Sequence, residues 1–427
     1  SCGPRVYVDP DAAGSGDGLS WADAYTSVSA ALAHERAPDR GLEVWLSGTV
    51  TNDPATLSGA DRAGTRLLGG FAGTESSSWE RDPDTTPSTW DGGGSAVLLD
   101  VTDASVVLDG VQLEDAGTGL RADLSGQRTE ITGTRFDLFT DRAVDVDDSG
   151  GGRLVVTESR FDASGQQGVR AVVRSGTMEG RIVGNLFEGG SDAAVRLGAR
   201  PGTTDAIQAV KVLANEVRGG NVGLTLAAHG DDSPALGRQS SLVASNLIHG
   251  TTAEAVRVEA TGSYASEAGA ATIEAVPKLL YNTLSDGSGA GLVSTATRTD
   301  STADPSLHQV RAAPEVWNNL VTFFAGIGIE ESEDDEAANL VSDPTLVRND
   351  LFGNAGPYRD EGLDDLADVA AVNGLDEARD NLSEDPLYVD RAGGDFHLDT
   401  ASPVIDQADP QTPARVTRDI DGEPRTK

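Results

Sequence analysis

The chain has 427 residues, of which 51 are glycine, and aromatic residues make up only 5% of it. Its 69 acidic residues outnumber its 32 lysines and arginines, which gives a formal net charge of −37 at pH 7. A surface this negative repels nucleic acids and anionic lipid head groups, so the composition argues against nucleic acid as a partner. The single cysteine excludes an internal disulfide framework.

That cysteine is Cys2, which follows Ser1 and precedes Gly3. The position resembles the lipid-modified first residue of a mature bacterial lipoprotein, and a chance cysteine is the alternative. No apolar run reaches the roughly 20 residues that span a bilayer. We therefore expect an extracellular or cell-surface protein, an outer-membrane lipoprotein that meets the membrane only through a lipid on Cys2.

Residues 1–100 predict an N-terminal cap followed by irregular first coils. Residues 5–10 alternate as a strand does, and a turn rich in Asp and Gly follows at 11–18. Ser20 then precedes apolar residues at helical spacing, so we expect a short capping helix to begin there. From 42 to 99, short strands alternate with polar loops.

From residue 106 the chain repeats one pattern nine times. A small hydrogen-bonding residue has an aliphatic residue three places before it and an apolar residue two places after it. The nine polar positions recur every 25 to 37 residues: Asp109, Thr134, Ser159, Asn185, Asn215, Asn246, Asn282, Asn319 and Asn349. This period predicts an all-β fold, a right-handed parallel β-helix in which each coil contributes short strands.

The polar residue of each repeat is expected at a tight bend, because asparagine tolerates left-handed backbone and carries both a donor and an acceptor. Its side chain could then bond the next coil, about 4.8 Å away. The predicted structural ladder comprises Asn185, Asn215, Asn246, Asn282, Asn319 and Asn349. Regular coils are predicted for 101–360, with loops inserted on one side at 229–239, 261–270 and 295–309. A C-terminal cap with a helix-like stretch at 362–372 is predicted for 361–427.

Two blocks of sequence resemble a known group. They are YVDPDAAGSGDGLSWADAYTSVSAAL near the start, and NLSEDPLYVD, DFHLDTASPVID and DIDGEPR near the end. They resemble secreted bacterial pectin-lyase-like β-helix proteins of the choice-of-anchor Q type. The resemblance implies a right-handed parallel β-helix exported to the cell surface. It implies no single activity, and no catalytic residue is carried over.

The strand after each bend has an outward column with several arginines. Aligning the repeats puts Arg170, Arg196, Thr225, Arg257, Val293 and Gly328 in this column, with Arg121 and Asp145 before them. One interpretation is a groove for an acidic polysaccharide, since guanidinium groups match carboxylates. In the other, these arginines pair with Asp145, Asp147, Glu259 and Glu330 as an ordinary surface ladder of ion pairs.

Catalysis would need further groups. For β-elimination, Arg170, Arg196 or Arg257 are candidates for the base, and Asp147, Asp231, Asp232 and Glu259 are candidates for holding Ca²⁺. A glycosidase would need two carboxylates across the scissile bond, for which the pair at 231–232 beside His229 is one possibility. Trp317 is expected to point outward as a sugar platform. The acidic run at 330–336 is expected to be a solvated loop rather than a cation site.

The sequence therefore predicts a non-catalytic surface β-helix that binds polysaccharide or a surface protein along one flank, through Arg121, Arg170, Arg196, Arg257 and Trp317. An acidic-polysaccharide lyase assisted by Ca²⁺ is one alternative. A structural or assembly subunit of a surface structure is the other.

Overall fold

The computed structural model describes residues 4–34, 41–59, 64–162, 165–231, 234–264, 271–300, 308–333, 339–361 and 365–425. The chain forms two compact units. Unit 1 comprises Ser1–Ala171 and Met178–Gly190, and unit 2 comprises Val172–Thr177 and Ser191–Lys427. Among the described residues, no helix has the length and apolar character needed to cross a membrane.

Unit 1 is built from short parallel strands. They are β1 Arg5–Val8, β2 Glu43–Ser47, β3 Thr49–Thr51, β4 Ala55–Ser58, β5 Thr65–Phe71, β6 Ser88–Thr102, β7 Val106–Asp109, β8 Val111–Asp123, β9 Arg128–Thr132, β10 Arg135–Asp148, β11 Arg153–Thr157, β12 Arg160–Asp162, β13 Gln167–Val173, β14 Gly176–Val183 and β15 Leu186–Glu188. Strands β13 and β14 have residues in both units.

Two parallel ladders organise unit 1. One runs β1, β2, β5, β7, β9, β11 and β14. The other starts with β3 and β4 on β6 and continues through β8, β10, β12 and β15. Each strand pairs with the equivalent strand of the next coil, which confirms the predicted parallel β-helix. Equivalent side chains stack inside it: ring centroids of Phe136 and Phe161 are 4.9 Å apart, and those of Phe161 and Phe187 are 4.5 Å apart.

The N-terminal helix is present but much shorter than predicted. Helix α1 spans Val28–Leu32, and Ser27 rather than Ser20 caps it by accepting a hydrogen bond from the Ala30 N–H. The segment before it is held as turns instead, because Trp21 packs against Tyr7 with ring centroids 4.7 Å apart. The segment also pairs with the first strand, since the Tyr25 N–H donates to the Tyr7 carbonyl at 2.9 Å, which a helix would not allow.

Unit 2 continues the same architecture. Its strands are β16 Ala193–Ala199, β17 Ala206–Leu213, β18 Glu216–Arg218, β19 Val222–Asp231, β20 Leu236–Gln239, β21 Leu242–Ala244, β22 Leu247–His249, β23 Val256–Tyr264, β24 Ala271–Ala275, β25 Lys278–Leu280, β26 Thr283–Ser285, β27 Leu292–Asp300, β28 His308–Ala312, β29 Glu315–Trp317, β30 Leu320–Thr322, β31 Ile327–Glu333, β32 Leu340–Ser342, β33 Thr345–Val347, β34 Gly356–Arg359, β35 Ala378–Arg379, β36 Tyr388–Asp390 and β37 Asp395–Leu398. Helix α2 spans Val369–Val372.

Four parallel ladders form the coils of unit 2. They run β17, β20, β24, β28, β32; then β17, β21, β25, β29, β33, β35; then β18, β22, β26, β30; and finally β16, β19, β23, β27, β31, β34. The β-helix prediction is confirmed here too. The segments predicted as insertions overlap strands instead: 229–231, 261–264 and 295–300 continue β19, β23 and β27, which are in register with one another, and 236–239 and 308–309 belong to β20 and β28. Residues 232–233, 265–270 and 301–307 lie outside the described residues.

The asparagine ladder of unit 2 comprises Asn215, Asn246, Asn282, Asn319, Asn349 and Asn381. In each step the Oδ1 atom of the later asparagine accepts from both the backbone N–H and the Nδ2 of the earlier one, at 2.9 to 3.1 Å. All six side chains are buried. Because every donor and acceptor involved is satisfied, this polar column is stable inside an apolar core.

Two details of the repeat differ from the prediction. The left-handed residue at each bend is the one before the ladder residue, such as Ala214, Ser245 or Tyr281, rather than the asparagine itself. Asp109 is also outside the ladder, because strand register pairs it with Thr132. Its carboxylate instead accepts a 2.6 Å hydrogen bond from Arg81.

The C-terminal segment has two parts. Helix α2 is followed by its C-cap residue Asn373, whose Oδ1 accepts from the backbone N–H and the Nδ2 of Asn381 at 2.8 and 3.0 Å. This contact ends the asparagine ladder. The antiparallel hairpin β36–β37 and the tail then return along unit 2, where the Asp409 N–H donates to Asn318 and Ser245 donates to the Arg418 carbonyl. The predicted helix-like stretch at 362–372 is thus helical only at its end; 362–364 lie outside the described residues.

Candidate functional site around His229

In unit 1 the predicted arginine column alternates in charge. Parallel register places Arg121 between Asp100 and Asp145. The Nε of Arg121 donates to Asp100 at 3.1 Å, and Arg170 donates to Asp145 at 2.6 Å. A second contact joins Arg170 to Asp147 at 3.4 Å. Each guanidinium therefore faces a carboxylate of its own unit.

In unit 2 the column is Arg196, Thr225, Arg257, Val293, Glu330 and Arg359. The expected Gly328 was wrong by two residues, because Val293 pairs with Glu330. Counting from the ladder asparagine would have found the register: Val293 and Glu330 each lie eleven residues after Asn282 and Asn319. Aligning the repeats on the Ala-Gly dipeptides that they share places Gly328, instead of Glu330, opposite Val293.

Six side chains of unit 2 form what we call the His229 cluster: Arg196, Arg200, His229, Asp231, Arg257 and Glu259. At its centre the Glu259 carboxylate lies 3.6 Å from Arg196 and 3.7 Å from Arg257. The Nε2 atom of His229 is 3.9 Å from the same carboxylate. These separations exceed hydrogen-bond length, so one carboxylate is shared loosely by two guanidinium groups and an imidazole.

The other two members of the cluster form a closer pair. The Nε of Arg200 donates to Asp231 at 2.7 Å. Arg257 has a further partner outside the cluster, since it donates to Glu254 at 2.7 Å. Glu259 thus contacts both Arg196 and Arg257, which lie two coils apart in register.

The strands explain why these residues meet. His229 and Glu259 occupy outward positions on β19 and β23, where register pairs Ala227 with Glu259 and His229 with Thr261. Arg196 is in register with Thr225, one coil before Arg257. Side chains at alternate positions on adjacent parallel strands share a face, so residues such as His229 and Glu259, which are 30 positions apart, come together.

His229 is held in its neutral form. Burial lowers its pKa below the ordinary value, and the positive charges of Arg196 and Arg200 lower the pKa further. The carboxylates of Glu259 and Asp231 act in the opposite direction without reversing the shift. A neutral imidazole near pH 7 has a free lone pair and can accept a proton, whereas an imidazolium cannot.

The predicted Ca²⁺ ligands are spread over both units and lie against arginines. Asp147 contacts Arg170 in unit 1, while Asp231 and Glu259 contact arginines of the His229 cluster. Asp232 and Cys2 lie outside the described residues. Among the described residues, the structure brings no three of these candidates together as a metal-ligand group.

Trp317 lies on a different ladder from the His229 cluster. It is half-buried on β29, between Leu280 and Val347 in register. The guanidinium of Arg379 lies over its ring, 5.1 Å from the centroid. The ring is therefore partly covered by the chain's own C-terminal region.

Sequence reasoning missed one group altogether. Glu331 was expected in a solvated loop, but it is only 4% exposed. Carboxylate oxygens of Glu331, Asp360 and Glu361 lie within 4.8 Å of one another. Strand alternation was the available signal, since Ile329 and Glu331 must share the inward face of β31.

No family model and no curated protein matches the chain. Several solved structures do. Pectate lyase Pel9A aligns at 13% identity over 100% of this chain and 97% of its own, with a TM-score of 0.42. An alginate lyase of the PL6 class, in complex with a trisaccharide, aligns at 14% identity over 89% and 96%, with a TM-score of 0.39. The A-module of a mannuronan C-5 epimerase from Azotobacter vinelandii aligns at 13% over 81% and 91%, with a TM-score of 0.38. At these values the likeness adds nothing to the fold that strand register already shows.

Proposed function

We propose that unit 2 binds an acidic polysaccharide at the His229 cluster, with Arg196 and Arg257 holding a uronate carboxylate. The observation that carries the proposal is the loose contact of both guanidinium groups with Glu259, at 3.6 and 3.7 Å. Guanidinium forks bind carboxylates in a planar, bidentate way, and donors at these distances are not committed to short hydrogen bonds with Glu259.

The cluster is also open enough for a ligand. The side chains of Arg196, Arg257 and His229 are 25%, 31% and 30% exposed. On a chain of net charge −37, a patch in which arginines balance the acids is a place where a polyanion meets the least repulsion. Binding at such a patch is ionic, so we expect added salt to weaken it.

β-Elimination at the same place is a second candidate, and the neutral imidazole of His229 favours it. A base removes the C5 proton of the uronate, the C–H electron pair forms the C4–C5 double bond, and the C4–O4 bond breaks. The leaving oxygen gains a proton, so no water is consumed. Arg196 and Arg257 would stabilise the charge that builds on the carboxylate, and His229 would accept the C5 proton.

The test uses the full chain with polygalacturonate and alginate, at low salt, with retention and ultraviolet absorbance followed together. The informative variants are Arg196→Gln and Arg257→Gln, and Arg160→Gln is the control. Arg160 is an exposed arginine of unit 1 that also contacts two carboxylates, so its loss changes net charge equally. We expect the first two to reduce retention at least about tenfold and the control to leave it unchanged.

The outcomes separate the hypotheses. Absorbance from unsaturated uronate ends, lost in His229→Gln while retention persists, supports elimination. Retention without that signal supports binding alone. Equal retention by all three arginine variants, or none by the unaltered protein, contradicts the proposal and favours the assembly role.

Export and a lipid on Cys2 also belong to the proposal. We expect a Cys2→Ala protein expressed with its native export signal to lose membrane association. Its intact mass should lack acyl groups that the unaltered protein carries. Equal membrane association of both forms would contradict anchoring.

A further inference from the structure

A second group of carboxylates, separate from the His229 cluster, includes Glu331 on the inward face of strand β31. Parallel register pairs Ile329 with Tyr358 and Glu330 with Arg359. Ile329 and Tyr358 are both fully buried, so the odd positions of β31 face inward. Glu331 is the next inward position, in register with the buried Ser294 of the preceding coil. Strand alternation thus forces a glutamate into the interior of the last full coil.

Two more carboxylates lie against Glu331. Asp360 and Glu361 directly follow β34, and their oxygens and that of Glu331 lie within 4.8 Å of one another. Asp360 and Glu361 are half-buried, which leaves an approach from the surface. Among the described residues, no arginine or lysine forms an ion pair with any of the three, whereas neighbouring Glu330 pairs with Arg359 at 3.1 Å.

Tyr358 provides an independent observation at the same place. Its side chain is fully buried, and its hydroxyl lies beside Glu331. Within the described part of the chain, neither that hydroxyl nor the Oε2 atom of Glu331 has a hydrogen-bond partner of normal geometry. Buried polar atoms are nearly always satisfied, so unsatisfied oxygens around three carboxylates indicate a bound partner.

We propose that Glu331, Asp360 and Glu361 bind one hard divalent cation, Ca²⁺, at the end of the coils of unit 2. The donors are all oxygens, which Ca²⁺ and Mg²⁺ prefer and soft transition metals do not. Ca²⁺ takes six to eight oxygen ligands with variable geometry, whereas Mg²⁺ demands a near-ideal octahedron and usually binds through only one or two carboxylates. Three carboxylates around a half-open site therefore suit Ca²⁺ better.

The site is separate from the His229 cluster. None of its residues belongs to that cluster, so a substitution in the proposed Ca²⁺ site leaves the proposed polysaccharide site chemically intact. Failure of one proposal does not affect the other.

The experiment uses the full chain after removal of divalent ions with a chelator. Ca²⁺ binding is measured by calorimetry, and Tb³⁺ is used as a luminescent substitute excited through tyrosine. Glu331→Gln is the test variant. Glu330→Gln is the matched control, since it removes the same charge from the adjacent, outward position of the same strand.

We expect the unaltered protein and Glu330→Gln to bind one tight Ca²⁺ alike, and Glu331→Gln to bind it at least about tenfold more weakly. Tb³⁺ luminescence should fall in Glu331→Gln, and in Tyr358→Phe it should fall while Ca²⁺ affinity is largely kept. Equal Ca²⁺ affinity of the two glutamine variants would overturn the proposal. So would an unaltered protein whose unfolding midpoint is the same with Ca²⁺ and with chelator, because a shared proton would then satisfy the carboxylates without a metal ion.

Discussion

Asn282 is the position where the asparagine ladder makes its most specific prediction. Its Nδ2 donates to the Val243 carbonyl at 3.0 Å and to Asn319 Oδ1 at 2.9 Å. Its Oδ1 accepts from the Asn246 backbone N–H at 3.0 Å and from Asn246 Nδ2 at 2.9 Å. The side chain is buried, so Asn282→Ala removes four hydrogen bonds that water cannot replace.

The expected cost follows from what is left behind. Asn246 Nδ2 keeps bonds to two other carbonyls, but its backbone N–H loses its acceptor. A buried unsatisfied group costs about 1 to 3 kcal/mol, and each further lost bond about 1 kcal/mol. We therefore expect Asn282→Ala to lower the free energy of unfolding of unit 2 by about 3 to 5 kcal/mol.

The assay is urea unfolding, with hydrogen exchange at the Asn246 amide as a local measure, since solenoids need not unfold in one step. The matched control is Asn221→Ala, which removes one exposed side-chain contact with Thr252. Such surface changes cost within about 0.5 kcal/mol. If Asn282→Ala and Asn221→Ala have the same unfolding midpoint, the ladder does not stabilise the coils as argued.

Three further predictions concern other parts of the chain. Asp350 is 2% exposed, and burial raises its pKa to about 7, so its contribution to stability is complete below about pH 4 and lost as pH rises through 7. Asp350→Asn should remove that pH dependence, worth up to about 4 kcal/mol, and an unchanged pH profile would contradict the burial argument. Phe161→Ala should destabilise unit 1 by about 3 to 5 kcal/mol, because it empties the middle of a stack of three rings, and calorimetry of the full chain measures this. Arg425 lies over the Tyr281 ring at 4.3 Å and donates to Ser245, so Arg425→Ala should speed proteolysis of the tail while the unfolding midpoint changes little.

Much of the fold was accessible from residue spacing. The asparagines at 215 to 349 recur with fixed apolar neighbours, and the structure places all of them in one buried ladder. Asn381 was missed because Ser383 stands where the pattern requires an apolar residue. Asp109 satisfies the local pattern of the repeat but not its register, because its strand pairs it with Thr132, two residues before Thr134.

The sequence by itself determined the parallel β-helix, its coil period and the inward and outward faces of its strands, since alternation and repeat length are local properties of the chain. The tertiary structure alone decided which charges meet. Glu259 lies between Arg196 and Arg257 because three coils of different length are brought into register. Strand alternation turns Glu331 inward, but only the pairing of β34 with β31 brings Asp360 and Glu361 beside it. Such contacts depend on loop lengths between coils, and the pattern within one coil carries no information about them.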